Sequence, residues 1–144
     1  KEYMEKYFAH YAGVRAYMAD VVERARKDGF VSTLLGRRRW VPELKSSNFN
    51  TRSFGERVAL NMPVQGTAAD IIKLAMLRVA DRLERDGFAG RLVLQVHDEL
   101  IVECPESETE RVSAMLREEM EGVMALAVPL LAETGAGKTW AAAH

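Results

Sequence analysis

The sequence predicts one α+β domain in which helices pack on a mainly antiparallel sheet. Three observations predict this class: apolar residues recur with helical spacing in several segments, short β-prone runs come as neighbouring pairs, and strict strand–helix–strand repeats are few. The chain has 144 residues, of which 48% are apolar and 28% charged, so it can bury one core. This balance excludes a disordered tail, a collagen-like fibre and a disulfide scaffold.

Two helices are predicted first. An aromatic-rich helix covers Lys1–His10, and Gly13 is expected to interrupt it. In the second helix, the apolar residues from Val14 to Ala25 follow the helical period, and Gly29 is well placed to stop it. The chain therefore begins with two successive helices before any strand.

A hairpin and two more helices are predicted next. Phe30–Leu35 is a β-prone run, and Val41 begins a return strand after three arginines. The following helix covers Arg52–Met62, and Pro63 is expected to interrupt or kink it because proline lacks the backbone N–H donor. Thr67–Asp70 fits a variant of the capping box and is expected to open a new, long helix.

The second half is predicted to hold the remaining strands. Four apolar residues at helical spacing form the buried stripe of the long helix: Ile72, Met76, Val79 and Leu83. Two strands follow at Leu92–Val96 and Leu100–Val102. A helix with an apolar face from Val112 to Val123 comes next, and Val128–Glu133 is predicted to be the last strand.

The cellular setting is predicted from cysteine content and hydropathy. Cys104 is the only cysteine, which excludes an internal disulfide and favours a reducing compartment such as the cytoplasm. The segment Lys1–Phe8 lacks an apolar signal core, so no export is predicted. The stretch Val123–Ala132 is too short to span a bilayer, and no membrane partner is expected.

The net charge of −1 gives no hint of nucleic acid, but the charges are unevenly distributed. Six basic residues stand against two acidic ones between Gly29 and Arg57, whereas three stand against seven from Pro105 to His144. A local positive patch can hold phosphates even in a neutral chain. Solvated side chains are the alternative, but three consecutive arginines, residues 37–39, repel one another and favour a patch.

A charged tripeptide, His97-Asp98-Glu99, joins the two strands of the second hairpin. It contains no glycine, although hairpin turns usually carry Asn-Gly or Asp-Gly. Two acids at the end of a buried hairpin would be desolvated and would repel each other, which opposes ionisation. A divalent cation would compensate, and Mg²⁺ accepts carboxylate oxygens while it keeps water and substrate phosphates as further ligands. The alternative is an exposed polar turn with no role.

Three polar residues spaced four apart, Arg57, Asn61 and Gln65, form what we call the ladder. On a helix they would share one face, and Pro63 is expected to move the last of them off the helix axis. Their donors suit the minor-groove acceptors that every base pair presents at nearly the same position. The ladder therefore indicates a surface that binds a duplex by its shape and does not distinguish its sequence. The alternative is an ordinary polar helix face.

The segment Ala132–Thr139 nearly satisfies the P-loop pattern, with alanine in place of the first glycine. A P-loop needs a following helix whose N-terminus faces the phosphates, but Trp140–His144 provides about one turn. No later strand supplies a second acidic ligand for Mg²⁺. The match is interpreted as coincidence and Lys138 as a surface residue, so P-loop nucleotide binding is the weakest alternative.

Three segments resemble motifs of the family A DNA polymerases, the bacterial DNA polymerase I group. They are Leu35–Pro42, Arg57–Asp70 and Gln95–Leu100, and they occur in the family's order and at similar spacing. The likeness extends over nearly the whole chain, and the three motifs together are highly specific. The resemblance implies the α+β fold of the polymerase palm, with an antiparallel sheet, packed helices and part of the fingers.

The resemblance also implies roles for the hairpin tip. Asp98 is implied to be one of two aspartates that hold a pair of Mg²⁺ ions, for which Mn²⁺ can substitute. Those metals activate the primer 3′-hydroxyl and stabilise the departing pyrophosphate. Glu99 is a weaker candidate for a metal ligand, and it would contact the metal ions through a water molecule or support another ligand. His97 is implied to contact the primer-terminal backbone, and a partly buried turn histidine is the alternative.

A DNA-facing surface is implied by the same resemblance. The ladder would lie against the nascent duplex, and Arg37, Arg38 and Arg39 would grip backbone phosphates or the primer strand. Since side chains alternate along a strand, Arg38 would point away from its two neighbours, and not all three need touch DNA. Primer–template DNA and deoxynucleoside triphosphates are therefore the expected partners.

Further polymerase segments are expected upstream of this sequence. The family's other metal-binding aspartate lies in a motif such as Asp-Tyr-Ser-Gln-Ile-Glu, which does not occur here, and neither does the fingers helix that binds the incoming nucleotide. Residues 1–144 are thus expected to form the C-terminal part of a polymerase domain that is inactive without the upstream segment. The alternative is a non-catalytic duplex-DNA-binding module.

Overall fold

The computed structural model describes residues 2–143, which form helices and two short antiparallel hairpins. The α-helices are α1 (Glu2–His10), α2 (Ala12–Asp28), α3 (Phe49–Arg85), α4 (Thr109–Glu121) and α5 (Trp140–Ala143). The strands are β1 (Phe30–Ser32), β2 (Arg38–Trp40), β3 (Arg91–Val96) and β4 (Glu99–Glu103). Short 3₁₀ turns cover Pro42–Lys45 and Glu106–Glu108. The α+β prediction is confirmed, and the chain divides into two compact units, residues 1–67 and 68–144.

In the first unit, α1 and α2 are separated at Tyr11 rather than at Gly13. The predicted interruption at Gly13 is wrong because one glycine costs a helix only about 1 kcal/mol, which does not end it. The predicted stop at Gly29 is confirmed. Gly29 adopts the left-handed conformation, with φ of 84°, and its N–H donates to the carbonyl of Ala25.

The first hairpin pairs β1 with β2, so that Phe30 lies opposite Trp40 and Ser32 opposite Arg38. The second and third arginines of the run are therefore strand residues, and the prediction that the return strand begins at Val41 is wrong. A tight loop closes the hairpin: Gly36 has φ of 82°, and its N–H donates to the carbonyl of Thr33 at 3.0 Å. We call this element, residues 30–40, the arginine hairpin.

The core of the first unit lies between α2, the arginine hairpin and the first half of α3. Its buried members are Val21, Ala25, Val31, Val41, Leu44 and Ala59. Val58 and Met62 of α3 pack against this cluster and remain partly exposed. Each fully buried aliphatic side chain contributes about 1.5–3 kcal/mol, so this cluster holds the unit together.

Helix α3 continues through Pro63, so both the predicted interruption there and the predicted helix start at Thr67 are wrong. Proline inside a helix costs about 3 kcal/mol, because it removes one N–H donor and crowds the preceding turn. The helix buries Ala59 completely and Thr67 almost completely, which offsets that cost. Thr67 also donates its hydroxyl to the carbonyl of Pro63 instead of capping a new helix.

The second unit packs the rest of α3 against α4 and the second hairpin. Val79, Leu83 and Met115 form its buried cluster. Phe88 and side chains from both strands and α4 pack against them: Leu92, Leu100, Val102 and Leu116. The predicted stripe of α3 is confirmed, since Ile72, Val79 and Leu83 are buried and Met76 is half-buried.

The second hairpin contains a β-bulge. Leu92 pairs with Val102 and Leu94 pairs with Ile101, so Val93 is an extra residue in β3. Because successive pairs face opposite sides of a sheet, Leu92 and Leu94 lie on opposite faces although they are two residues apart. Leu92 packs into the core, whereas Leu94 is 44% exposed.

The predicted last strand, Val128–Glu133, is wrong, because this segment forms no strand in the structure. Side chains of α4 hold it instead. The backbone N–H of Ala132 donates to Glu121 at 3.0 Å, and Arg117 donates to the hydroxyl of Thr134 at 2.9 Å. With its backbone donor taken by a carboxylate, Ala132 is positioned by the helix rather than by a neighbouring strand.

None of the helices between residues 2 and 143 is both long enough and apolar enough to cross a membrane.

An ion-pair cluster links the end of α3 to α4. Arg82 donates to Asp86 at 2.9 Å, to Glu118 at 2.9 Å and to Glu119 at 2.7 Å. Its hydrogen bond to Glu119, followed by those to Asp86 and Glu118, raises the pKa of Arg82 further above its usual range. Arg82 and then Arg85 lower the pKa of Asp86 below 3.8, the usual value of an aspartate. Arg82 and Asp86 are thus both charged at neutral pH.

The stabilising effect of Asp86 is expected to disappear in acid. Because its pKa is lower in the folded state, its contribution is complete above pH 3.8 and is lost as the pH falls through the folded-state value. Hydrogen exchange of α4 peptides would measure this in wild type and Asp86→Asn. At about pH 6 the wild type is expected to be better protected, and the difference should shrink as the pH falls below 3.8.

The matched control is Asp81→Asn, since Asp81 is exposed on the same helix and has no ion pair within residues 2–143. Asp81→Asn is expected to match wild type at both pH values. A constant difference between wild type and Asp86→Asn across this pH range would contradict the prediction.

Candidate active site

The candidate catalytic carboxylate lies in the turn between β3 and β4. Val96 pairs with Glu99, so the connection consists of His97 and Asp98 alone. His97 has φ of 51°, the only positive value at a non-glycine residue within the described part of the chain. Histidine tolerates this left-handed region better than most residues, although glycine is the usual choice in hairpin turns. The tight turn places Asp98 at the tip of the hairpin.

Gln95 supports this turn. Its side-chain Nε2 donates to the backbone carbonyl of His97 at 2.6 Å. The bond holds the residue with the unusual φ and thereby fixes the backbone that carries Asp98. Sequence reasoning did not single out Gln95; an amide two residues before a turn that lacks glycine was the available signal.

The acids at the tip are less buried than the sequence suggested. His97 and Asp98 are exposed and Glu99 is half-buried, so the expected desolvation of both carboxylates is wrong. The reason is geometric: Asp98 belongs to the two-residue turn, whereas Glu99 is the first residue of β4. A solvent-facing carboxylate is free to accept a hard cation and leaves room for water and phosphate as further ligands.

The hairpin tip carries carboxylates that could supply part of a Mg²⁺ coordination shell. Asp98 and Glu99 are neighbouring carboxylates of the type that Mg²⁺ prefers. Residues 2–143 contain no group of three or more histidine, cysteine or acidic side chains placed to hold a metal ion. Mg²⁺ is commonly bound by one or two carboxylates together with substrate phosphates, so this donor set fits the ion when phosphates complete it.

The ladder of the first unit forms a continuous exposed row. Arg57, Asn61 and Gln65 are all exposed and lie on the uninterrupted part of α3. The expected interruption at Pro63 does not separate Gln65 from the other two residues, because the helix continues through that proline. None of the three side chains has a hydrogen-bond or ion-pair partner within the described residues. Their donors are therefore available to a ligand.

The arginine hairpin presents exposed positive charge in the same unit. Arg37, Arg38 and Arg39 are all exposed. The guanidinium of Arg38 lies 4.5 Å from the ring centre of Phe30, on which it stacks, and the Phe30 ring meets that of Trp40 edge to face at 5.3 Å. Stacking leaves the edge donors of a guanidinium free, so Arg38 can still bind a phosphate.

The P-loop-like segment, Ala132–Thr139, makes a different contact from that of a P-loop. A Cβ atom on Gly135 would come within 1.9 Å of the carbonyl oxygen of Ala143, and one on Gly137 within 2.6 Å of the carbonyl carbon of Ala142. These glycines thus lie against the C-terminal end of α5, whereas a P-loop needs a helix N-terminus. The strand that a P-loop requires before it does not form here either. The geometry favours coincidence, as predicted.

Comparison with known proteins identifies the family. The family model described as DNA polymerase family A matches residues 1–142, so this chain belongs to DNA polymerase family A. DNA polymerase I of Mycobacterium tuberculosis is 55% identical over 144 residues, which cover 99% of this chain and 16% of that protein. DNA polymerase I of Geobacillus stearothermophilus is 50% identical over 139 residues, which cover 96% of this chain and 16% of that protein.

A solved structure supports the same assignment. The POL domain of Pol1 from M. smegmatis, in complex with DNA primer-template and dNTP, matches with a TM-score of 0.93 and 51% identity. The match covers 97% of this chain and 25% of that one. The present chain therefore spans about one sixth of the curated relatives and a quarter of the solved domain.

Proposed function

We propose that residues 1–144 are the C-terminal part of a DNA-directed DNA polymerase, formed by the palm and a helical region of the fingers. The complete enzyme would add deoxynucleotides to a primer 3′-hydroxyl under the direction of a template. The observation that carries this proposal is the exposed Asp98 in the turn between β3 and β4, within a chain of DNA polymerase family A. DNA replication and repair are the processes that such an enzyme serves, in the cytoplasm, on the DNA of the nucleoid.

Asp98 is proposed to be the main carboxylate ligand of the metal ions, with Glu99 in an auxiliary role. When bound, a pair of Mg²⁺ or Mn²⁺ ions would supply Lewis-acid stabilisation of the reacting phosphate. The chain's own contribution is positional: the two-residue turn and the bond from Gln95 to the carbonyl of His97 fix the backbone at Asp98. His97, exposed in the same turn, is proposed to contact the primer-terminal backbone.

The first unit is proposed to hold the primer–template duplex. The ladder offers one guanidinium and two amides in a row on α3, which suits minor-groove acceptors shared by all base pairs. The arginine hairpin adds three exposed guanidinium groups for backbone phosphates. Contacts of these two kinds hold a duplex without reading its sequence, as copying any template requires.

Catalysis is proposed to need polymerase sequence beyond these 144 residues. Asp98 and Glu99 do not complete a metal site within residues 2–143, and the chain spans about one sixth of its relatives. The upstream polymerase segment is the proposed source of the second metal-binding aspartate and of the side chains that hold the deoxynucleoside triphosphate.

Primer extension tests the proposal. The complete polymerase chain that contains this segment is expected to extend a labelled primer on a template with Mg²⁺ and all four deoxynucleoside triphosphates. Removal of the Mg²⁺ with a chelator should stop extension and leave duplex binding. Tight duplex binding with no extension under any metal condition would overturn the proposal and favour the alternative, a non-catalytic DNA-binding module.

A further inference from the structure

Two residues directly after the ladder contact the loop of the arginine hairpin. Thr67 accepts a hydrogen bond from the backbone N–H of Leu34 at 3.1 Å, and it donates its own hydroxyl to the carbonyl of Pro63. One side chain thus joins two backbones that are far apart in sequence. Thr67 is only 7% exposed, so water competes little for these bonds.

Gly66 contributes the close approach. A Cβ atom at this position would lie 2.7 Å from Cγ2 of Thr33, which is closer than real side chains come. Thr33 is itself buried, and its hydroxyl accepts a hydrogen bond from the N–H of Arg37 at 3.1 Å. Its N–H donates to the carbonyl of Arg37 at 2.9 Å. The helix turn after Gln65 is therefore packed directly on the residue that holds the first arginine.

We propose that Gly66 and Thr67 are positioning residues that fasten the arginine hairpin to α3, so that the arginines and the ladder meet one duplex as a single surface. This inference rests on the proposed DNA-binding function. It adds that phosphate contacts depend on a half-buried glycine and a buried threonine that touch no DNA themselves. Neither residue carries a charge, so neither attracts a phosphate by its own charge.

Thr67→Val tests the hydrogen bonds, because valine has the same shape and lacks the hydroxyl. In the complete polymerase, we expect this variant to weaken duplex binding about fivefold to tenfold and to reduce the salt dependence of the affinity, as lost phosphate contacts do. Thr67→Ser keeps the hydroxyl and should bind within about twofold of wild type. Thr51→Val is the matched control, since Thr51 is exposed on the same helix.

Gly66→Ala tests the close approach. Alanine favours a helix more than glycine does, so weaker duplex binding in this variant would not reflect a weaker helix. Thr33→Ser removes the clashing methyl group and keeps the hydroxyl that receives the Arg37 N–H. The double variant Gly66→Ala/Thr33→Ser is therefore expected to recover duplex affinity to within about twofold of wild type.

A combined variant separates positioning from general damage. In a background with Arg37, Arg38 and Arg39 all changed to alanine, Thr67→Val should cause less than a twofold further loss, since nothing is left for it to position. Equal losses in both backgrounds, or no loss in either, would overturn the inference. If the triple arginine variant itself binds like wild type, the proposed phosphate contacts fail, and this inference fails with them.

Discussion

Replacement of Asp98 by asparagine is expected to lower kcat for primer extension by about 10³-fold or more in the complete polymerase. Asparagine keeps the shape of the side chain and removes its charge, so a cation at this position loses a carboxylate ligand. Two-metal phosphoryl transfer depends on that ligand for charge stabilisation of several kcal/mol, and each 1.36 kcal/mol is a factor of ten in rate. Single-turnover extension with saturating DNA and nucleotide would measure the loss.

The expected loss is specific to the chemical step. Because Asp98 is exposed and lies in a turn, its replacement should leave thermal stability unchanged and duplex affinity within about twofold. Glu103→Gln is the matched control: Glu103 is an exposed acid of the same hairpin, paired with Arg91 at 3.0 Å, and surface pairs of this kind contribute little. Extension by Asp98→Asn at more than about a tenth of the wild-type rate would remove Asp98 from the catalytic site.

Replacement of Arg37, Arg38 and Arg39 together by alanine is expected to weaken duplex binding at least tenfold at low salt. Each arginine that contacts a phosphate releases condensed counterions, so the slope of log affinity against log salt should fall by about 0.9 for each lost contact. Variants with a single arginine replaced would show how many of the three contribute to duplex binding. Arg38 is expected to have the smallest effect, because it stacks on Phe30 and lies on the opposite face of β2 from Arg39.

Three other basic residues provide the comparison: Arg15, Arg24 and Lys27, all exposed on α2. Their joint replacement removes the same formal charge from the same unit and should change the salt slope by less than one. Similar slopes for the two triple variants would mean that the hairpin acts only through overall charge. An unchanged slope in the hairpin variant would contradict the proposed phosphate contacts.

The elements that the sequence predicted well are those whose signals are local. Gly29 ends α2, and the stripe from Ile72 to Leu83 faces the core, because both depend on residues within about three helical turns of one another. Pro63 and Thr67 gave equally strong local signals, and both predictions were wrong. Burial of the α3 face around Ala59 outweighed the cost of the proline, and that burial depends on residues distant in sequence.

In the candidate site, too, some features could be predicted from the sequence and others could not. Asp98, the ladder and the three arginines were predicted as site residues from local patterns and the family resemblance, and all of them are exposed in the structure. The contacts of Gln95, Gly66 and Thr67 could not be predicted, because each joins the residue to a particular carbonyl, methyl group or backbone N–H. Such contacts exist only once the chain is folded.

The bulge at Val93 also bears on how readily this hairpin can pair with strands of other molecules. In a two-stranded sheet each strand has an outer edge, and neither edge is covered by a further strand within residues 2–143. Val93 and Leu94 are 46% and 44% exposed, so this hairpin has the composition of a segment that pairs with copies of itself. A bulge breaks the regular row of backbone donors and acceptors and twists the strand, which hinders such pairing. One extra residue in β3 thus makes the hairpin a poorer template for intermolecular β-structure.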